Sequence, residues 1–137
     1  MRVLLDTNII LDFFLEREPF FQSASKLFDE IADTKVEGFV TASSVTDIFY
    51  ICRRQTQSLE EVRQILITTL ALLSICPVNA FVLETALKSG LADFEDAVQI
   101  ACAETQNLEA IITRNPQDFE TAHIPVLSAK QIVEQLV

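Results

Sequence analysis

Acidic residues recur in this chain close to short apolar runs. Asp6 directly follows Val3-Leu4-Leu5. Asp47 stands a few residues after Gly38-Phe39-Val40-Thr41. Asp93 and Asp96 precede Ala110-Ile111-Ile112-Thr113, and Asn115 and Asp118 follow it. Carboxylates without His or Cys beside them form an oxygen donor set, which suits Mg²⁺ or Mn²⁺. Three or four cannot crowd together ionised without a counter-charge, and one or two divalent cations supply it. Asp93 and Asp96 are three apart, so on a helix they share a face. A cation held in this way activates water for in-line attack on a phosphodiester and stabilises the leaving oxygen, which is nuclease or phosphatase chemistry.

Each acid also has a plainer reading. Asp6 can be a loop residue. Asp47 can be the third residue of a helix capped by Ser44. Asp93 can be an N-cap with Asp96 at N3. Asp118 fits a turn after Asn115-Pro116, the reading that suits it best. Their joint placement around the strand ends is what points to chemistry.

The elements that must position them form a regular alternation. Strands are predicted at Val3–Leu5, Gly38–Thr41, Leu73–Pro77, Ala110–Thr113 and Ile124–Leu127, each a short, continuous apolar run. Between them the spacing predicts helices. The first starts at Thr7 or Asn8 and ends at Glu18-Pro19, and the second runs from Pro19 to Ala32. A third is capped by Ser43-Ser44, and a fourth opens with a Ser58/Glu61 capping box. The fifth spans Asn79 to Lys88 and closes at Gly90, the sixth spans Asp93 to Thr105, and a last helix is capped by Ser128. This pattern predicts an α/β fold with a parallel sheet covered on both faces, in one domain over residues 1–137. In such sheets a ligand site lies beyond the carboxyl ends of the strands.

Composition narrows the function. The 137 residues are half hydrophobic, which excludes wholesale disorder. The longest uncharged stretch, Gln64 to Leu83, is broken by polar residues and Pro77, and Asp6 interrupts the first apolar run. Neither a membrane span nor a signal peptide is expected. Three widely spaced cysteines and a single histidine do not make a zinc site, and the cysteines read as reduced core residues of a cytoplasmic protein. No G-x-S-x-G elbow accompanies His123. The net charge of −10 repels nucleic acid unless cations or a local basic patch intervene.

Four segments in order resemble the PIN-domain family, which includes the VapC-type toxins of toxin–antitoxin pairs. They are Leu4-Leu5-Asp6-Thr7-Asn8-Ile9-Ile10-Leu11-Asp12, Ser43-Ser44-Val45-Thr46-Asp47-Ile48, Asp93-Phe94-Glu95-Asp96-Ala97-Val98-Gln99-Ile100-Ala101 and Ile112-Thr113-Arg114-Asn115-Pro116-Gln117-Asp118-Phe119. The resemblance implies a three-layer α/β/α sandwich with a central parallel sheet and metal-dependent ribonuclease activity. It places metal-binding, catalytic carboxylates at Asp6, Asp47 and Asp96, with Asp93 as an additional metal-binding acid. Thr7 and Asn8 match polar residues that shape the first loop, and Thr113 matches a hydroxyl near the site. Two positions depart from the family pattern. Asp47 stands where Glu is commoner, and Asn115 stands where many members carry a fourth Asp.

The leading reading is thus a Mg²⁺- or Mn²⁺-dependent endoribonuclease, with Arg53, Arg54 or Arg114 holding RNA. A small antitoxin and a second copy of the chain are the implied protein partners. Phe13, Phe14, Phe20, Phe21 and Phe28 are predicted to offer an apolar groove for such a partner, an idea that full burial of all five contradicts. The alternative is a non-catalytic PIN-like module that binds RNA or a protein. A haloacid-dehalogenase-like phosphatase with Asp6 as nucleophile wants a second Asp two residues on, where Asn8 stands. A receiver domain wants a Lys after the fourth strand, which is missing.

Overall fold

Val3, Leu4 and Leu5 have no accessible surface, because their strand lies in the middle of the sheet and is covered on both faces. In the computed structural model, which describes residues 1–136, the strands are β1 (Arg2–Leu5), β2 (Glu37–Thr41), β3 (Ser74–Cys76), β4 (Ala110–Ile112) and β5 (Val126–Leu127). All neighbours are parallel, in the order β3-β2-β1-β4-β5. Leu4 sits level with Phe39 of β2 and Ile111 of β4.

Side chains alternate between two cores. Val3, Leu5, Val40 and Ile112 pack with α1 (Thr7–Phe14), α2 (Phe21–Ala32), α3 (Ala42–Gln55), α4 (Leu59–Leu72) and α7 (Ala129–Gln135). Leu4, Phe39 and Ile111 face α5 (Ala80–Lys88) and α6 (Phe94–Thr105) on the other side. The result is the predicted three-layer α/β/α sandwich. β1 leads to β2 and β3 on one side, and the chain then crosses back to β4 on the other. The crevice outside the carboxyl ends of β1 and β4 is therefore the topological switch point.

Several helix boundaries differ from the sequence reading. α1 ends at Phe14, before Glu18, and Glu16 there adopts a left-handed φ of 49° that no helix continues. α2 begins at Phe21, two residues after Pro19. α3 starts at Ala42, because the hydroxyl of Thr41, the last residue of β2, accepts a hydrogen bond from the Ser44 amide and so caps the helix. Asp47 consequently lies in the second turn. The Ser58 hydroxyl caps α4, but the Glu61 carboxylate accepts from Thr56 and does not return to Ser58. Ser128 and Gln131 complete a full capping box on α7.

One buried charge holds the layer of α1 to the end of β4. The Asp12 carboxylate is wholly buried, with Arg114 Nε 3.0 Å and Arg17 Nη1 3.9 Å away. The Arg114 guanidinium lies on the Phe20 ring, 4.0 Å from its centroid. Burial raises the Asp12 pKa, and the two arginines oppose that. Arg114→Ala leaves this carboxylate with only its weaker partner. The expected loss is about 3 kcal/mol by denaturant unfolding at pH 7.5. It shrinks at pH 5, because a raised folded-state pKa makes protonation the relief for the unpaired charge. Equal loss at both pH values would show that the charge is not what is being exposed.

Candidate active site

Asp6 is the first residue beyond β1, and its amide donates to the Ile112 carbonyl of β4 at 2.9 Å. This main-chain bond carries the β1–β4 pairing one step past the strands and fixes Asp6 at the switch point. Its side chain is only 6% exposed. Thr113 Oγ1 donates to Oδ2 at 2.8 Å and Gln99 Nε2 donates to Oδ1 at 3.2 Å. Burial raises the Asp6 pKa more than these two hydrogen bonds lower it.

α6 brings up further acids. Asp96, in its first turn, has its pKa pushed up to about 7, chiefly by burial and then by the charges of Asp93, Asp6, Asp118 and Glu95. Asp93 is the N-cap of this helix, and its Oδ1 accepts from the Asp96 amide at 3.1 Å. It thus fills the capping role that its spacing allows, with its charge still acting on Asp96. Glu95 was not singled out from the sequence. Burial, the Asp47 charge and a hydrogen bond to Asp47 raise its pKa, while the Thr7 hydroxyl, 3.3 Å away, lowers it. Glu95 is what links Asp47 of α3 to the acids of α6.

Hydroxyl groups form the floor between α1 and α3. Thr7 Oγ1 donates to Ser44 Oγ at 2.8 Å, and Thr41 Oγ1 lies 2.7 Å from the same Ser44 oxygen. Asn8 accepts from Arg17 Nη1 at 3.4 Å. Asn115 contributes its main chain, donating to Thr113 Oγ1 at 3.0 Å and accepting from the Asp118 amide. Asp118, in the 3-10 turn Pro116–Phe119, brings its charge to both Asp6 and Asp96.

The arginines are placed differently. Arg53 and Arg54 occupy the last turn of α3, toward the opposite end of that helix from Asp47. Arg114 is turned to Asp12. The acids of the site thus have no cationic partner among the ion pairs of the described residues.

Among the described residues, no three His, Cys, Asp or Glu side chains are gathered tightly enough to hold a metal ion as they stand. The donors nevertheless fit a hard divalent cation: they are all oxygens, they carry like charges that burial penalises, and Gln99 Oε1 beside them is a buried acceptor without a partner. A cation held by Asp6, Asp47 and Asp96 would offset the like charges that, after burial, raise the pKa values of Asp6, Asp96 and Glu95.

The aromatic residues are divided. Phe28 is buried, Phe13, Phe14 and Phe21 are half-buried, and Phe20 is exposed. Phe13 stacks on Phe28 at 4.1 Å and on Phe21 at 6.3 Å, forming a partly open aromatic seam between α1 and α2.

The PIN domain family model matches residues 2–117, and the chain belongs to that family. Solved structures share the fold. A toxin–antitoxin complex from Klebsiella pneumoniae is 21% identical with a TM-score of 0.68, over 93% of this chain and 97% of that one. VapBC2 from Rickettsia felis, bound to a DNA fragment from its promoter, is 15% identical with a TM-score of 0.65, over 93% and 98%. VapC20 from Mycobacterium tuberculosis, a sarcin-ricin loop cleaving toxin, is 12% identical with a TM-score of 0.66, over 80% and 86%. No curated protein sequence matches the chain.

The elevated Asp96 pKa makes stability depend on pH. Its folded value of about 7 lies above the ordinary 3.8, so the folded state binds this proton more tightly than the unfolded chain does. The stabilisation is present below about pH 4 and is lost as pH rises through about 7. In EDTA, the melting temperature is therefore expected to be a few degrees higher at pH 5.5 than at pH 8. Asp96→Asn reduces that difference. A melting temperature independent of pH, or one equally dependent in the variant, would remove Asp96 as its source.

Proposed function

We propose that this chain is a Mg²⁺- or Mn²⁺-dependent endoribonuclease and the toxin of a toxin–antitoxin pair. The observation that carries this reading is the Asp6 carboxylate, buried at the switch point and joined by Asp96, Asp47 and Glu95 without a cationic partner. When bound, the divalent cation supplies Lewis acidity toward a phosphodiester oxygen and lowers the pKa of water. Asp6, Asp47 and Asp96 would hold it, and Asp93 adds negative charge while capping α6. Thr113 and Gln99 fix both oxygens of Asp6, so its lone pairs keep one orientation through turnover. Thr7, itself hydrogen-bonded to Ser44, contacts one oxygen of Glu95. Glu95, set between Asp47 and Thr7, accepts the proton of the attacking water. The water oxygen joins phosphorus, the bond from phosphorus to the leaving ribose oxygen breaks, and that oxygen takes a proton from solvent.

The partners in this reading are RNA, a small antitoxin and a second copy of the chain. The open aromatic seam between α1 and α2 and the exposed Ile67 and Leu70 of α4 supply apolar surface for protein contacts. Three buried, unpaired cysteines suit a reducing, cytoplasmic location. No helix among the described residues is long and apolar enough to cross a membrane.

The test is cleavage of a mixed RNA pool by the purified chain with Mn²⁺, Mg²⁺ or EDTA. Cutting is expected with either metal and not with EDTA. Asp6→Asn and Asp96→Asn should each slow it on the order of 100-fold or more. A folded wild type that cuts nothing, and whose melting temperature Mn²⁺ does not raise, would favour the non-catalytic module.

A further inference from the structure

A cavity of about 270 Å³ lies beside the acids, and the carboxylate chemistry leaves it unused. It opens between α1, the start of α2, the turn after β4 and the start of α7. Ile9, Phe20, Ala24, Pro116 and Ala129 make most of its wall apolar. The partition between cavity and acids is a single residue thick. Thr113 lines the cavity, and its hydroxyl donates to Asp6. A group in the cavity and a phosphate over Asp6 can therefore belong to one ligand.

Three features describe that ligand. First, Arg114 lies with its guanidinium 4.0 Å from the centroid of the Phe20 ring, and the buried Asp12 fixes it from below. Aromatic rings and arginine planes are the surfaces on which unpaired bases stack. Second, Lys130 stands on the rim, and with Ser23 it also borders an adjoining groove that holds Lys26. Lys130 is paired with Glu134, which lines the same groove, so the positive charge on the path of a backbone leaving the cavity rests on Lys26. Third, the volume falls below the roughly 300 Å³ at which pockets for drug-sized ligands begin. It suits one planar ring system.

We propose that this cavity receives one unpaired nucleobase of single-stranded RNA, adjacent to the phosphate that lies over Asp6. The inference rests on the ribonuclease reading and deepens it by assigning the subsite that takes the base beside the cut. A base inside a duplex stack cannot enter, so cutting is confined to unpaired segments. With a net charge of −10, the chain gains little from long-range attraction of a polyanion, and the apolar cavity supplies the local contact instead.

The chain has no tryptophan, so Phe20→Trp places a single reporter at the cavity mouth. We would make it together with Asp6→Asn and Asp96→Asn, which remove two negative charges and cutting. The probes are a random eight-nucleotide single-stranded RNA, the same RNA paired with its complement, and a polyphosphate of equal charge. Quenching by the single strand alone is expected. No quenching, or equal quenching by polyphosphate or duplex, overturns the proposal. In parallel, sequencing the ends of a cleaved random RNA pool should show a base preference of roughly tenfold at one position beside the cut. Ser23→Phe, which narrows the cavity, should flatten it, and Ser23→Leu serves where the larger side chain does not fold. A preference untouched by either variant overturns the cavity as its source. Cutting without preference or quenching overturns the cavity and leaves the nuclease standing. Quenching by the single strand without cutting under any metal supports the cavity and removes the nuclease reading.

Discussion

A carboxylate placed almost out of water at the end of the central strand is the constraint around which this molecule is arranged. Burying Asp6 ionised is costly unless donors and counter-charge are provided. The sheet order provides the donors. Because β4 lies beside β1, Thr113 arrives directly at Oδ2. Because α6 crosses the other face, Gln99 arrives at Oδ1. The fold does not provide the counter-charge. Instead it adds the charges of Asp96 and Asp118 around Asp6, with Glu95 linking Asp47 to them. A structure selected for stability alone would place a lysine among them. A site that takes up a cation from solution would not, since a resident ammonium would compete with it.

The supports of this cluster are neutral hydroxyls on one side and an internal ion pair on the other. Thr41, Ser44 and Thr7 tie β2, α3 and α1 together beneath Glu95 without adding charge. Asp12 and Arg114 tie α1 to the residue after Thr113, so the loop that holds Asp6 is itself held. Arg114 neutralises Asp12 and is thereby kept from neutralising the site. Two acids on the same helical segment, Asp6 and Asp12, thus have opposite treatments. One is given a cation from the chain, and the other is not.

Much of the fold was legible because a buried parallel strand reads as an unbroken apolar run, and the chain has five of them. The sequence also placed the acids beyond strand ends, where parallel-sheet topology brings them to one edge. Other features needed coordinates. The start of α3 was misjudged because Thr41 ends a strand and caps a helix at once, while Ser43 and Ser44 look like better caps. Glu95 escaped notice because spacing by three favoured Asp93 and Asp96. The residue between them turns sideways to meet Thr7 and Asp47. Asp12 reads as an ordinary polar helix position, and only its complete burial shows that it needs Arg114. Gln99 has no sequence signal beyond standing three residues after Asp96. Its role appears when α6 is laid across the end of β1.

The net charge of −10 is at odds with a polyanionic substrate only if the charge is taken as uniform. Asp6, Asp47, Glu95 and Asp96 account for four of the negative charges, and in the proposed reading a divalent cation would cancel part of them beside the phosphate. Lys26 and Lys130 line a separate groove on the α2/α7 side, where Lys130 pairs with Glu134. What remains is a weak overall repulsion that discourages loose association with any nucleic acid. A nuclease built on this chain would forgo the sequence-independent phosphate term that dominates most nucleic-acid affinity. Selectivity then depends on short-range fit at the carboxyl edge of the sheet, where substrates that fail to seat have little electrostatic reason to stay.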